Sequence, residues 1–211
     1  MKTLKIVALA ACFCALALLA GAAPSRAADP KDVLKGNIDQ FIVILKDAKY
    51  DKGANKSEQD QKIWAILDQV FDFNAVARRA LGRNWKRLSA AQQQEFVPLF
   101  KELLGTNYLH RIRAGYKDEK VVIGQADKDG DRKAVVHSNI VRASSKVPVD
   151  YSLYSTGQTW KVYDVKVEGV SLIKNYRTQF AEILVNGKPA DLIGKVKKQL
   201  AELKAKIAAE K

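Results

Sequence analysis

An α+β fold is predicted for this chain, with helices first, a four-stranded antiparallel sheet next and helices last, and three observations predict it. From Asp29 to about Arg113 apolar residues recur at helical spacings of three and four, interrupted by cap signals. From Lys120 to Val167 the chain is rich in valine and tyrosine, with links too short for crossover connections. Between Trp160 and Phe180 a strand-type alternation passes into a helix-type stripe with no linker, so the two elements must pack back to back.

Asp29 as cap and Pro30 in the first turn open the first helix, whose stripe is Val33, Leu34, Ile38, Phe41, Ile42 and Leu45. Lys52-Gly53-Ala54-Asn55 breaks the pattern. Ser57 with Asp60 three residues on then resembles a capping box for a helix carrying Ile63, Ile66, Leu67 and Val70. Phe71-Asp72-Phe73-Asn74 interrupts that helix; Asp72 or Asn74 can cap the next, which carries Val76 and Leu81 and stops near Gly82. Ser89 with Gln92 is a capping-box signature for the longest helix, from Ala90 to about Arg113. Its apolar face reads Phe96, Leu99, Phe100, Leu103, Leu104, Tyr108 and Ile112, and Pro98 inside it predicts a bend.

Four strands are expected at Lys120 to Ala126, Lys133 to Arg142, Val147 to Ser155 and Gln158 to Val167, joined as a meander by Asp127 to Asp131, Ser144-Ser145 and Thr156-Gly157. In the last strand Tyr163, Val165 and Val167 alternate with Asp164, Lys166 and Glu168. Asp127, Asp129 and Asp131 have the spacing of a calcium loop, but no glutamate stands at the twelfth position, so a hairpin turn and no metal is expected. Gly169 ends the sheet, and Ser171 caps a helix with Leu172, Ile173, Tyr176 and Phe180 on one face. Asn186 to Pro189 separates it from a last helix carrying Leu192, Ile193, Val196, Leu200, Leu203 and Ile207. Its lysine-rich opposite face and want of aromatic anchors make it a solvated surface helix, not one lying in a membrane.

The first residues read as a secretory signal peptide, 1–27: Lys2 and Lys5, an apolar run from Ile6 to Ala23, and small residues placed for cleavage after Ala27. A membrane anchor is the competing reading of such a run; its alanine content and the cleavage site favour the signal. Cleavage removes Cys12 and Cys14, the only cysteines, so the remaining chain enters an oxidising compartment without disulfides. Residues 28–211 have the length of a single domain, divided into a helical part (28–116), the sheet (117–169) and C-terminal helices (170–211). Of the formal charge of +13 the signal carries only Lys2, Lys5 and Arg26, so the mature chain stays strongly basic. Anionic lipid head groups or acidic proteins suit that charge; nucleic acid is not expected, because the chain is exported and has no nucleic-acid motif.

Catalytic constellations are missing. His110 and His137 are the only histidines, which with the loss of both cysteines excludes thiol chemistry and a histidine metal triad. No phosphate-cradling glycine motif and no nucleophile elbow occurs. The chain is therefore expected not to be an enzyme, and to have no cofactor. Asp164 is read as fixing the strand's edge or pairing with a nearby cation.

The run W-x-V-Y-D-V at Trp160, Val162, Tyr163, Asp164 and Val165 leads through Glu168-Gly169-Val170-Ser171 to Asn175-Tyr176-Arg177 with Gln179 and Phe180. Together with Phe71-Asp72-Phe73, Arg78, Leu81-Gly82, Trp85, Phe96, Phe100 and Tyr108 in order upstream, it resembles the periplasmic phospholipid-transport proteins of the MlaC (toluene-tolerance, Mla pathway) family. The resemblance covers most of the chain after residue 30. It implies an NTF2-like fold and a soluble monomeric shuttle that carries phospholipid across the periplasm and maintains outer-membrane lipid asymmetry. The implied partners are an outer-membrane lipoprotein complex and an inner-membrane ABC transporter with an MCE-type subunit. A hopanoid or another polycyclic lipid is the nearest alternative cargo, and an isomerase or dehydratase with a cone-shaped pocket the alternative of another class.

A lipid carrier needs few special residues. Leaving a sixteen-carbon acyl chain in water costs on the order of 12 kcal/mol at ~0.8 kcal/mol per CH₂, so the carrier must supply an apolar cavity in place of the bilayer. That cavity is expected between the sheet and the helices. Its lipid-binding wall is expected to be Phe96, Phe100, Leu103, Leu104 and Tyr108 on the long helix and Ile173, Tyr176 and Phe180 on the helix after the sheet. From the strands it is expected to take Val135, Val149, Tyr151, Leu153, Tyr163 and Val165.

Overall fold

A computed structural model describes residues 28–210 apart from residues 54, 118 and 143. The signal-peptide reading concerns residues 1–27 and lies outside the described residues. The chain is α+β, as its patterning predicts.

Asp29 accepts a hydrogen bond from the Lys31 amide and opens α1 (Pro30–Lys46). A 3₁₀ turn (Ala48–Gly53) leads to α2 (Lys56–Val70). Its cap is Asn55 in the left-handed region at φ 52°, not Ser57, because asparagine tolerates that conformation and starts the helix earlier. Asp60, read as the capping-box partner, instead pairs with Arg113 at 2.5 Å. Asp72 caps α3 (Phe73–Leu81) through the Ala75 amide, and Gly82 at φ +55° ends it. After a second 3₁₀ turn (Gly82–Arg87), Ser89 and Gln92 exchange both capping-box hydrogen bonds and start α4 (Ala90–Gly115), which runs unbroken through Pro98.

One antiparallel sheet follows in the order β1 (Lys120–Asp129), β2 (Lys133–Val141), β3 (Lys146–Ser155), β4 (Trp160–Val167), β5 (Val170–Ser171). The fifth strand, beyond the four expected, is a two-residue return along β4. Glu168 and Gly169 allow it by taking positive φ angles of 51° and 80°, the pair that a tight hairpin of matching twist requires. Asp127 and Asp129, expected in a turn, belong to β1, which outlasts its apolar pattern because β2 pairs with it to the end. Helices α5 (Leu172–Asn186) and α6 (Pro189–Ala209) complete the chain.

A β-bulge decides which side chains face the helices. Ser152 stands opposite Asp164 while Leu153 stands opposite Val162, so the register slips by one residue in β4. Trp160 and Val162 therefore share the inner face with Val165 and Val167, and Tyr163 is turned to the outer face.

The apolar residues gather in two clusters. One lies under the inner face of the sheet, where Leu34 of α1 and Ile66 and Val70 of α2 pack on Val136, Leu153, Trp160 and Val162. The other joins α3, α4, α5 and α6 around Phe96, Phe100, Tyr176 and Phe180. Ion pairs Glu95 to Lys197 and Glu102 to Lys204, each at 2.5 Å, run along the α4–α6 contact. Among the described residues no helix is long and apolar enough to cross a membrane.

An apolar cavity between the sheet and the helices

Where the two clusters part, a cavity of about 350 Å³ opens. Its floor is the inner face of the sheet at Ile140, Val149, Tyr151, Val165 and Val167, all near the end where β2 turns into β3. Helix α1 walls one side with Leu34, Asn37, Ile38 and Phe41, and α2 adds Ile66, Leu67 and Val70. The opposite wall is Leu104, Gly105, Tyr108, Leu109 and Ile112 of α4 with Leu172 and Ile173 of α5. Ile112 is 39% exposed, which places the mouth at the C-terminal end of α4.

Six of the residues expected in the wall line this cavity: Leu104, Tyr108, Val149, Tyr151, Val165 and Ile173. The other eight stand elsewhere, for identifiable reasons. Phe96 and Phe100 of α4 meet Tyr176 and Phe180 of α5 at centroid distances of 5.0 to 5.6 Å, mostly edge to face, so these rings fill one another's space and leave none for a ligand. Leu103, 1% exposed, belongs to the same closed core. Leu153, also 1% exposed, is sealed beneath Leu34 and Trp160. Val135 lies on the outer face, opposite Asp127 and Ser152. Tyr163 is turned outward by the bulge, and the Arg79 guanidinium stacks 3.7 Å from its ring centre. Sequence reasoning missed the walls from α1 and α2. Their apolar stripes were visible, but which surface a stripe faces is set by long-range packing.

Few polar groups reach the cavity. The Asn37 amide donates to the Val33 carbonyl at 2.7 Å. Burial pushes the phenols of Tyr108 and Tyr151 up, so both stay protonated at neutral pH. Asp164 lines the cavity, yet both of its oxygens are engaged: Oδ2 accepts from the Ser171 hydroxyl at 2.6 Å and Oδ1 from the Ile173 amide at 3.2 Å. Ser171 in turn caps α5 through the Lys174 amide. The carboxylate thus holds the sheet and the start of α5 together, the negative charge suiting a helix N-terminus. Among the described residues it forms no ion pair, the other of its two expected roles.

Neither histidine lines the cavity. His110 pairs with Glu210 at 3.0 Å, and His137 sits between Asp127 at 3.0 Å and Asp150 at 2.8 Å on the outer face of the sheet. Among the described residues no group of three potential ligands is arranged to hold a metal ion. A larger groove, of about 1070 Å³, lies at the opposite end of the sheet between Ala28, Lys128, Asp131, Arg132 and Trp160. Charged and hydroxyl side chains line much of it, so it offers no apolar shelter.

Known proteins share this architecture. Residues 35–198 match the family model described as MlaC protein. The toluene tolerance protein ttg2D of Pseudomonas putida is 27% identical over 165 residues, 77% of this chain and 76% of that one. The intermembrane phospholipid transport system binding protein MlaC of Haemophilus influenzae is 29% identical over 111 residues, about half of each chain (50% and 51%). Among solved structures, the phospholipid-binding protein from Ralstonia solanacearum in complex with a phospholipid superposes with a TM-score of 0.75 at 27% identity, covering 84% of this chain and 99% of that one. The extent of the family match, together with this shared fold, establishes that the chain belongs to the MlaC family.

Proposed function

We propose that this chain is a periplasmic carrier that shelters phospholipid on its way between the outer and inner membranes. Residues 28–211 act as one lipid-binding domain once the signal peptide is removed. The observation that carries the reading is the apolar cavity of about 350 Å³ between sheet and helices. Its size is that of a ligand site, and its walls are hydrocarbon and aromatic. The names of the relatives, intermembrane phospholipid transport and toluene tolerance, and the phospholipid held by the Ralstonia protein, support the same cargo.

No chemical step is part of the proposed function. An isomerase or dehydratase needs a free acid or base in the pocket, and Asp164, the one carboxylate there, has both oxygens committed to Ser171 and Ile173. The head group stays at the mouth near Ile112, in water. Cargo is exchanged with an outer-membrane lipoprotein complex on one side and an inner-membrane ABC transporter with an MCE-type subunit on the other. The basic surface attracts anionic head groups and speeds such encounters in a salt-dependent way.

Transfer of labelled phospholipid between two vesicle populations kept apart by a membrane impermeable to vesicles tests this directly. The expected result is transfer proportional to protein concentration; transfer no faster than in protein-free buffer would remove the carrier reading.

A further inference from the structure

We infer that the cavity mouth carries a phosphodiester site, in which the Tyr108 hydroxyl and the Arg111 guanidinium receive a lipid's ester carbonyl and its phosphate. This rests on the carrier reading and adds the groups that recognise the head end of the cargo.

Three consecutive residues near the end of α4 have different partners. Ile112 lines the cavity and is 39% exposed at its mouth. Its two neighbours project to opposite sides of it, because successive helical residues are about 100° apart. Arg113, on one side, is already engaged: its guanidinium pairs with Asp60 at 2.5 Å and donates to Gln59 Oε1 at 3.2 Å. Arg111, on the other side, is exposed, and among the described residues no carboxylate pairs with it. Its Nε donates to Asn107 Oδ1 at 3.2 Å, one turn back, which holds the guanidinium on that side and leaves the Nη hydrogens for a ligand.

Tyr108 stands one turn before Arg111. It lines the cavity, is half-buried, and its hydroxyl has no hydrogen-bond partner among the described residues. A donor left unpaired in an apolar wall suits an acceptor that the ligand brings with it. Burial pushes the phenols of Tyr108 and Tyr176 up, and the charge of Arg111 opposes it in both, which places the guanidinium beside the two rings.

Spacing and order then match a phospholipid. Residues three apart on a helix have Cβ atoms about 5–6 Å apart. In a phospholipid only glycerol carbons separate an ester carbonyl from the phosphate. The phenol on the wall meets the ester, and the cation outside it meets the phosphate, whose oxygens suit the fork of a guanidinium that is always charged. A neutral lipid engages only the first of these groups.

The experiment measures binding of dioleoyl phosphatidylglycerol, and of dioleoylglycerol with the same chains and no phosphate, to the delipidated mature chain at low salt, by displacement of a fluorescent fatty acid. Arg111→Gln should weaken binding of the phosphatidylglycerol by about tenfold or more and leave dioleoylglycerol within about twofold. Arg111→Lys keeps the charge without the fork and should recover only part of the loss. Lys195→Gln removes the same charge from α6 beside the other end of α4, where Glu95 pairs with Lys197, and should change binding of neither lipid. Equal losses of both lipids in Arg111→Gln, an equal loss of phosphatidylglycerol in Lys195→Gln, or no loss at all would overturn the inference and leave the carrier reading standing. Inorganic phosphate alone should not bind the lipid-free chain. Phosphate binding that Arg111→Gln abolishes, with no discrimination between the two lipids, would assign the site to the free anion and overturn the lipid assignment. Binding of neither lipid by the wild type would overturn the carrier reading as well.

Discussion

Arg177 on α5 donates its Nε hydrogen to the carbonyl of Arg79 on α3 at 2.7 Å. Its methylenes lie beside Gly82, where an added Cβ would stand 3.5 Å from Arg177 Cδ. The arginine of the Asn175-Tyr176-Arg177 signature therefore supports the last turn of a helix, filling one of the carbonyls that every helix end leaves open.

That contact predicts the order in which function fails. Arg177→Ala removes one exposed hydrogen bond, worth about 1 kcal/mol, and should lower the melting temperature by ~2–4 °C. Lipid per protein should stay at the wild-type value, because Arg177 is not part of the cavity wall. Parallel melting curves and lipid extraction check this; loss of lipid at unchanged melting would assign Arg177 to the cargo.

Two neighbouring turns of α4 should respond in opposite ways. Phe100 is 1% exposed inside the ring cluster, and Phe100→Ala should cost ~3–5 kcal/mol. Leu104 is half-buried at the cavity, so in Leu104→Trp the larger ring takes space meant for cargo. Near-native melting of the delipidated Leu104→Trp variant is expected, with clearly reduced lipid loading. In a close-packed site the same change would cost ~1–3 kcal/mol, and a stability loss of that size with normal loading would contradict the placement.

How much of this was legible in the sequence depended on range. Caps at Asp29, Asp72, Ser89 and Ser171 were readable because a cap is a contact within three residues. The bulge in β4 was not, since Tyr163, Val165 and Val167 keep a perfect alternation and only the pairing with β3 shows the slip. Aromatic α4 and α5 faces were legible as apolar; that Phe96, Phe100, Tyr176 and Phe180 fill each other's space is a property of two helices meeting. The walls from Leu34, Ile38 and Phe41 went unassigned for the same reason.

Gly105 offers a case where propensity and packing disagree. Alanine in a helix interior is favoured over glycine by ~1 kcal/mol. Here the added carbon would lie 1.9 Å from Cη2 of the rigid Trp64 ring, so Gly105→Ala should instead destabilise by ~1–3 kcal/mol. Combining it with Trp64→Leu should recover part of the loss, a coupling that a double-mutant cycle on urea midpoints measures. Additive effects would mean that the ring moves aside freely.

Stability should also depend on His137. Its imidazole is flanked by the carboxylates of Asp127 and Asp150, whose hydrogen bonds raise its pKa above the ordinary 6.5. A raised folded pKa means that the stabilisation is fully present below about 6.5 and is lost as pH rises through the folded value. The effect should be under about 1 kcal/mol, because the group is partly exposed and screened. Urea unfolding between pH 6 and 9 should show this decline, and His137→Gln should flatten it; an unchanged slope in the variant would place the titration elsewhere.

The central claim, that the cavity holds lipid, is met most directly by native mass spectrometry of the mature protein purified without detergent from a bacterial host. A mass excess of one lipid per chain is expected, released by organic extraction and restored by incubation with phospholipid vesicles. Bare protein in every preparation, with no uptake from vesicles, would contradict it.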